Sequence, residues 1–215
     1  MSISPPQETR IRSGAQQFPV MFGMQEPTPG EYRYPAHWHT YLELIYMWQG
    51  DATFIVSGAP YELRQGDLLL IHAKEVHEVR IRQADETRYS VISCVPELLY
   101  HAGSSLSESR YALPFLLAQP SLQRHFPASA LRESAVPGWL NELVEEDRRR
   151  GFGYELAIRS SLTLLFLWML RYWHEQGALA ASPEPNMRAR RSLQALFEFV
   201  EAHSDKPFTS EDAAR

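Results

Sequence analysis

Between Phe18 and Cys94 the chain alternates short aromatic and β-branched runs with turns built on glycine, and this alternation limits the folds open to it. A first run, Phe18 to Met24, is followed by Pro27, Pro29 and Gly30 ahead of Tyr32. Tyr41 to Trp48, Thr53 to Val56, Tyr61 to Leu63, Leu68 to His72, His77 to Arg82 and Arg88 to Cys94 then follow in sequence. Gln49-Gly50-Asp51, Ser57-Gly58-Ala59-Pro60 and Gly66-Asp67 separate the earlier of them, which is the pattern of closely spaced strands joined by tight turns. Many short strands with polar turns can bury their apolar sides only in a sandwich or a barrel. No internal repeat or low-complexity tract is visible.

Past Pro96 the pattern changes to helix and loop. Residues 97 to 134 are ambiguous, their apolar groups broken by Pro114, Pro120 and Pro127. Val136 to Arg150 reads as a helix with Trp139, Leu140, Leu143 and Val144 on one face. Gly151-Phe152-Gly153 ends it, and Tyr154 to Glu175 forms a longer one whose apolar residues cover more than one face. Such a helix should be buried on both sides, by its own domain and by a partner chain or the neighbouring helix. Ala178 to Pro185 has linker composition. Leu193, Leu196, Phe197 and Val200 mark a further amphipathic helix, and Thr209-Ser210-Glu211-Asp212 is a capping box opening another, within whose first turns the chain stops at Arg215. The expected division is a flexible arm at 1–17, a barrel at 18–96, a helical segment at 97–177, a linker at 178–187 and a further unit at 188–215.

Bulk properties exclude several classes. A formal net charge of −5 argues against a nucleic-acid surface spread over the whole molecule. Arg148-Arg149-Arg150 follows Glu145-Glu146-Asp147 and reads as a self-neutralising helix surface, while Arg188 to Arg191 sits where the linker ends. The single cysteine, Cys94, can form no intramolecular disulfide and suits a reducing compartment, so cytoplasm is expected. Residues 1 to 17 hold no apolar stretch of the secretory kind, and Leu162 to Leu170 is far short of the roughly 18–20 residues of a membrane span.

Chemistry concentrates in His37-Trp38-His39, Glu43 and His77. On an extended strand His37, His39 and Glu43 project to one side together with Tyr41, Ile45 and Met47. Trp38, Leu42, Leu44, Tyr46 and Trp48 then face the other way, as packing residues. Imidazoles and a carboxylate are ligands for zinc, iron, manganese or nickel, which makes His37, His39, Glu43 and His77 a candidate metal set. A polar effector pocket without metal and a group of buried structural histidines account for the same residues. The candidate ligand-binding set is His37, His39, Tyr41, Glu43, Met47 and His77, with no residue assigned a catalytic role. His101, His125, His174 and His203 have no partner at metal spacing, Arg80 and Arg82 are not assigned to the pocket, and Cys94 reads as a small buried apolar side chain. No Ser-His-Asp set, phosphate loop or dinucleotide fingerprint is present.

Gly30, then His37-x-His39-x3-Glu43-x6-Gly50, then Gly66-x5-His72 and His77 resemble the two cupin motifs. Gly66-Asp67-Leu68-Leu69-Leu70-Ile71 with His77 resembles the AraC-type branch in particular. Residues 190–203 and 206–215 are similar to the start of the AraC-type DNA-binding domain. The resemblance implies an α+β chain: a cupin-like double-stranded β-helix (jelly-roll barrel), a helical dimerisation segment, and the first helix of a helix-turn-helix domain. It further implies a small-molecule effector in the barrel, a homodimer through helices within 136–175, and DNA binding only through a full-length protein that includes the recognition helices. His37, His39, Glu43 and His77 fill the four cupin ligand positions. His72 and Lys74 stand where the second motif normally has Pro and Gly, and one extra residue separates Gly30 from His37. The alternatives are a metal-dependent cupin enzyme, an oxygenase or isomerase, and a truncated dimerising partner that modulates an intact regulator. The helical output segment, the linker and the interrupted tail favour the regulator, since a compact enzyme requires none of them.

Overall fold

The computed structural model describes residues 5–8, 18–27, 30–82, 86–95, 98 and 106–179, with the side chains of 106–110 excepted. Most of the expected arm, nearly all of the 178–187 linker, the unit at 188–215, and both His101 and His203 lie outside the described residues.

Eight strands follow one another: β1 (Val20–Gln25), β2 (Tyr32–His37), β3 (Leu42–Gln49), β4 (Asp51–Val56), β5 (Ala59–Arg64), β6 (Leu68–Ile71), β7 (His77–Ile81) and β8 (Arg88–Cys94). After them come α1 (Leu106–Leu116), β9 (His125–Phe126), α2 (Ala128–Leu131), α3 (Val136–Arg149) and α4 (Tyr154–Glu175). The strands form two antiparallel sheets, one of order β1-β8-β3-β6-β9 and one of order β2-β7-β4-β5. With the helices to one side, this is the cupin-like sandwich with a helical region that the motifs imply.

Strand periodicity separates two cores. In β3, Leu42, Leu44 and Tyr46 join Leu68 and Leu70 of β6 and Ile92 and Cys94 of β8 in a core under the helices. Ile45 and Met47, with Leu69, Ile71 and Tyr89, point the other way and meet Phe54, Val56, Val79 and Ile81 between the sheets. The five-stranded sheet is thus covered on both faces, which explains why β6 is an unbroken Leu-Leu-Leu-Ile run with every residue buried. The outer face of the other sheet stays polar: Thr53 pairs with Glu62, and Glu78 pairs with both Arg33 and Arg80.

Glycine is required at two turns. Gly50 has φ +75°, and a Cβ there would lie 2.5 Å from the Glu86 carbonyl oxygen; Gly66 has φ +86°, with its Cβ position 2.8 Å from the Ala128 side chain.

One expectation needs correction. The stretch from His37 to Glu43 is not one strand: β2 ends at His37, β3 begins at Leu42 in the opposite sheet, and residues 38–41 cross between them. Period-two parity therefore holds from Leu42 onward and does not extend back to His37 and His39. The 97–134 stretch contains α1, with Pro114 inside it, and β9, which extends the larger sheet beside β6. The chain's own fold buries α4 along one stripe, Ile158, Leu162, Leu165, Phe166, Met169 and Trp173, which is the face expected to meet its own domain. Its other side leaves Leu156, Leu164 and Leu167 at 68%, 41% and 36% exposure.

Candidate functional site

β2 is an edge strand, so it tolerates Pro35, which has no N–H to give to a neighbour. A register irregularity between Tyr34 and His37 ends it and leaves His37 directly opposite His77 of β7. The two rings lie 4.1 Å apart between centroids. His39 follows in the crossing between sheets, its ring stacked on Tyr41 at 3.9 Å and 5°. Glu43 comes from the opposite sheet, where its strand partner Ser93 donates a hydroxyl hydrogen bond to Oε1 at 3.1 Å.

The three imidazoles are held alike. His37 Nδ1 donates to the Pro35 carbonyl at 3.0 Å, His39 Nδ1 to that of Tyr41 at 2.9 Å, and His77 Nδ1 to that of Glu75 at 3.0 Å. Main-chain acceptors at Nδ1 fix the tautomer and direct each Nε2 lone pair inward. A ligand atom from each of His37, His39 and His77 lies within 4.8 Å of the others, and all three residues are buried. Glu43 Oε2 stands 3.3 Å from His39 Nε2 and 3.4 Å from His77 Nε2. Those separations exceed the ~2.7–2.9 Å of a charge-assisted hydrogen bond, and both Nε2 atoms are buried without a hydrogen-bond partner. Converging lone pairs beside a carboxylate suit a cation, so the donor set fits a divalent transition metal.

Burial would raise the Glu43 carboxyl, but the adjacent His39 and His77 imidazoles overcome it and hold the group well below the usual carboxylate range. Burial would lower His77, yet the Glu43 carboxylate prevails and raises it. His37 is lowered by burial and by its neighbour His77.

A small open cavity lies between the sheets beside His37, Glu43 and His77. His37, Glu43 and His77 reach it; Ile45, Phe54 and Val91 are among its apolar lining. Tyr41 and Met47 are buried but are not among the lining residues: Tyr41 backs His39, and Met47 sits in the inter-sheet core. Glu8, Tyr34 and Ser93 were not anticipated. Gln7 forms a parallel bridge with Trp38, bringing Glu8 to the mouth of the cavity, where its Oε2 lies 3.2 Å from His37 Nε2 and its Oε1 accepts from the Tyr34 hydroxyl at 3.1 Å. Ser93 was recoverable from strand register, whereas nothing in the polar arm marked Glu8. His125 pairs with Asp67 at 2.9 Å, away from the triad, and His174 is exposed.

The second-motif departures have structural counterparts. Lys74 adopts φ +66°, the left-handed conformation that a glycine would take without strain. His72 is buried, and its Nε2 donates to the Pro114 carbonyl of α1 at 3.1 Å.

The uncharacterized HTH-type transcriptional regulator YbfI of Bacillus subtilis is 24% identical over 182 residues, 84% of this chain and 59% of that protein. This chain therefore spans about three fifths of that relative's length. The HTH-type transcriptional activator RhaR of Escherichia coli is 36% identical over 50 residues, 21% of this chain and 18% of that protein. A salicylate 1,2-dioxygenase from Pseudoaminobacter salicylatoxidans overlays with a TM-score of 0.38 at 16% identity, covering 60% of this chain and 42% of that one. At that TM-score the likeness carries no weight for function. The model of the AraC-like ligand binding domain matches residues 20–150, more than half of the sequence, so the match runs from β1 through α3. The chain belongs to the AraC-like ligand binding domain family.

Proposed function

We propose that the inter-sheet cavity is the effector site, that a divalent transition metal held by His37, His39, His77 and Glu43 forms its floor, and that occupancy acts on paired chains. The observation that carries this reading is the triad itself, three imidazoles pinned at Nδ1 and aimed through Nε2 at one point beside a carboxylate. Zinc, iron, manganese or nickel there would supply a Lewis-acidic anchor for an effector oxygen or nitrogen. The chain's own residues do the rest. Tyr41 keeps the His39 ring in plane, Ser93 orients Glu43, and Glu8 with Tyr34 places polar groups at the entrance. Ile45, Phe54 and Val91 give the apolar body of an effector a wall, with Met47 supporting it from the core behind.

The role is sensing rather than catalysis, in keeping with the family and with the helices attached to the larger sheet. Leu156, Leu164 and Leu167 on the open side of α4 form the face through which two chains pair, and DNA is read only by the full-length protein. Among the described residues no helix is long and apolar enough to cross a membrane, and a cytoplasmic location fits a regulator.

Metal analysis of protein purified without an affinity tag, combined with oxygen-uptake assays, tests the reading. One metal per chain with no turnover is expected; stoichiometric iron with oxygen consumption would overturn the sensor role in favour of a cupin oxygenase. Light scattering should report a dimer, and a strict monomer at high concentration would sink the pairing.

A further inference from the structure

The loop that delivers His77 to the triad also grips the helical side of the molecule. Lys74 N–H donates to the His39 carbonyl at 2.6 Å, and His77 Nδ1 donates to the Glu75 carbonyl at 3.0 Å, so the main chain of His39 and the imidazole of His77 are both tied to adjacent loop residues. The left-handed backbone at Lys74 gives the loop one specific form. Glu75 sends its side chain the opposite way. Its Oε2 accepts from Arg124 Nη1 at 2.6 Å and from the His72 backbone N–H at 2.9 Å. The side chains of Glu75 and Arg124 are only 11% and 13% exposed, which makes the pair a rigid strut rather than a solvated contact.

From Arg124 the connection continues to the end of α4. The Arg124 carbonyl accepts from Leu70 N–H at 2.9 Å, fixing it to β6. The preceding residue, Gln123, accepts from Trp173 Nε1 on its main-chain carbonyl at 2.8 Å and from the Tyr172 hydroxyl on Oε1 at 3.2 Å. Tyr172 and Trp173 lie in the last turns of α4, where the amides of Gln176, Gly177 and Ala178 donate to the carbonyls of Tyr172, His174 and Trp173. Polar contacts, connected through the Gln123–Arg124 peptide link, thus lead from the triad to the end of α4.

We propose that Glu75 and Arg124 are positioning residues that couple the state of the His37–His39–His77 site to the C-terminal turn of α4. Filling or changing the site moves the main chain at 74–75, the Glu75–Arg124 strut carries the displacement, and Gln123 delivers it to Tyr172 and Trp173. A regulator needs such a link, because a binding event between the sheets has no consequence unless it changes the segment leading to residues 180–215. The proposal goes beyond the metal reading and holds for any occupant of the site.

A double-mutant cycle read by hydrogen exchange tests it on the whole chain without added metal, so failure of the link and failure of metal binding are separate results. Amide exchange at 176–178 is compared in the wild type, His77→Ala, Arg124→Gln and the double variant. With Arg124 present, His77→Ala should speed exchange at these amides about fivefold, and in the Arg124→Gln background it should change them by less than about 1.5-fold. The proposal is overturned if His77→Ala affects residues 72–77 but not 176–178, or if the two effects simply multiply. Glu75→Gln replaces Arg124→Gln under the same criterion should the arginine variant not fold, and Arg124→Lys, which keeps the charge but loses the forked geometry, should restore part of the coupling.

Discussion

The two faces of the five-stranded sheet come from the same strands yet are built for different ends. Toward the helices, Leu42, Leu44, Leu68, Leu70 and Ile92 meet Phe115, Phe126, Phe166 and Trp173 in a core where polar side chains are rare. Toward the other sheet, Ile45 and Met47 share β3 with Glu43, and the interior receives three histidines whose Nε2 atoms converge. A dry apolar face gains stability from every methylene buried, whereas a face holding converging lone pairs and an ionised carboxylate gives up stability in order to bind. The first face should therefore dominate folding energetics and the second should dominate ligand response.

Substitutions can break that division. The largest stability loss should come from Phe126→Ala, which removes a fully buried ring packed against Trp168, Tyr172 and Trp173. It should cost ~3–5 kcal/mol in chemical denaturation, and a loss below ~1 kcal/mol would remove β9 from the helix-side core. Gly50→Ala comes next. The left-handed backbone alone should cost ~1–2 kcal/mol, with more from overlap on the Glu86 carbonyl, and an unchanged midpoint would contradict the turn geometry.

Glu75→Gln weakens a charged pair at the junction of the two faces. Burial raises the Glu75 carboxyl, but hydrogen bonds from His72 and Arg124 outweigh it and bring it down to about 2, from an ordinary 4.5. A depressed folded value means that the contribution is complete above 4.5 and is lost as pH falls toward 2. The wild type should exceed the variant by ~1–3 kcal/mol near neutrality, and the gap should close at acid pH; a gap independent of pH would discard the ionised pair. Smallest should be Leu164→Glu on the open side of α4, which should shift stability by less than ~0.5 kcal/mol while turning dimer into monomer in sedimentation velocity. Persistence of the dimer would relocate the pairing face.

Much of the larger sheet was legible in the sequence because both of its faces are buried and its strands follow period two. Leu42 to Met47 divide between the two cores as parity requires. α3 and α4 were equally readable from their apolar spacing, and α4 spans Tyr154–Glu175 as expected. α1 was not, because Pro114 interrupts a pattern that tertiary contact with His72 sustains, and β9 is two residues long and has no period to detect. The site shows the same limit. His37, His39, Glu43 and His77 were identifiable as chemical types at known spacing, although the reason they meet is a crossing between sheets and not one continuous strand. Glu8 was not legible, since its place depends on Gln7 pairing with Trp38, a contact between segments distant in sequence. Tyr41 and Met47, expected to bind the ligand, are buried without lining the cavity, since position in a core and access to a cavity are different properties.

The most direct test of the account is a calorimetric titration of tag-free, chelator-treated protein with zinc, repeated on the variant carrying both His39→Ala and His77→Ala. One zinc per chain is expected in the wild type, with thermal stabilisation of ~3 kcal/mol at a hundredfold excess over Kd, and both should be lost in the variant, whose fold is checked by circular dichroism before the titration. Absence of stoichiometric binding, or equal binding by the variant, would contradict the assignment of the triad as the floor of the sensing site.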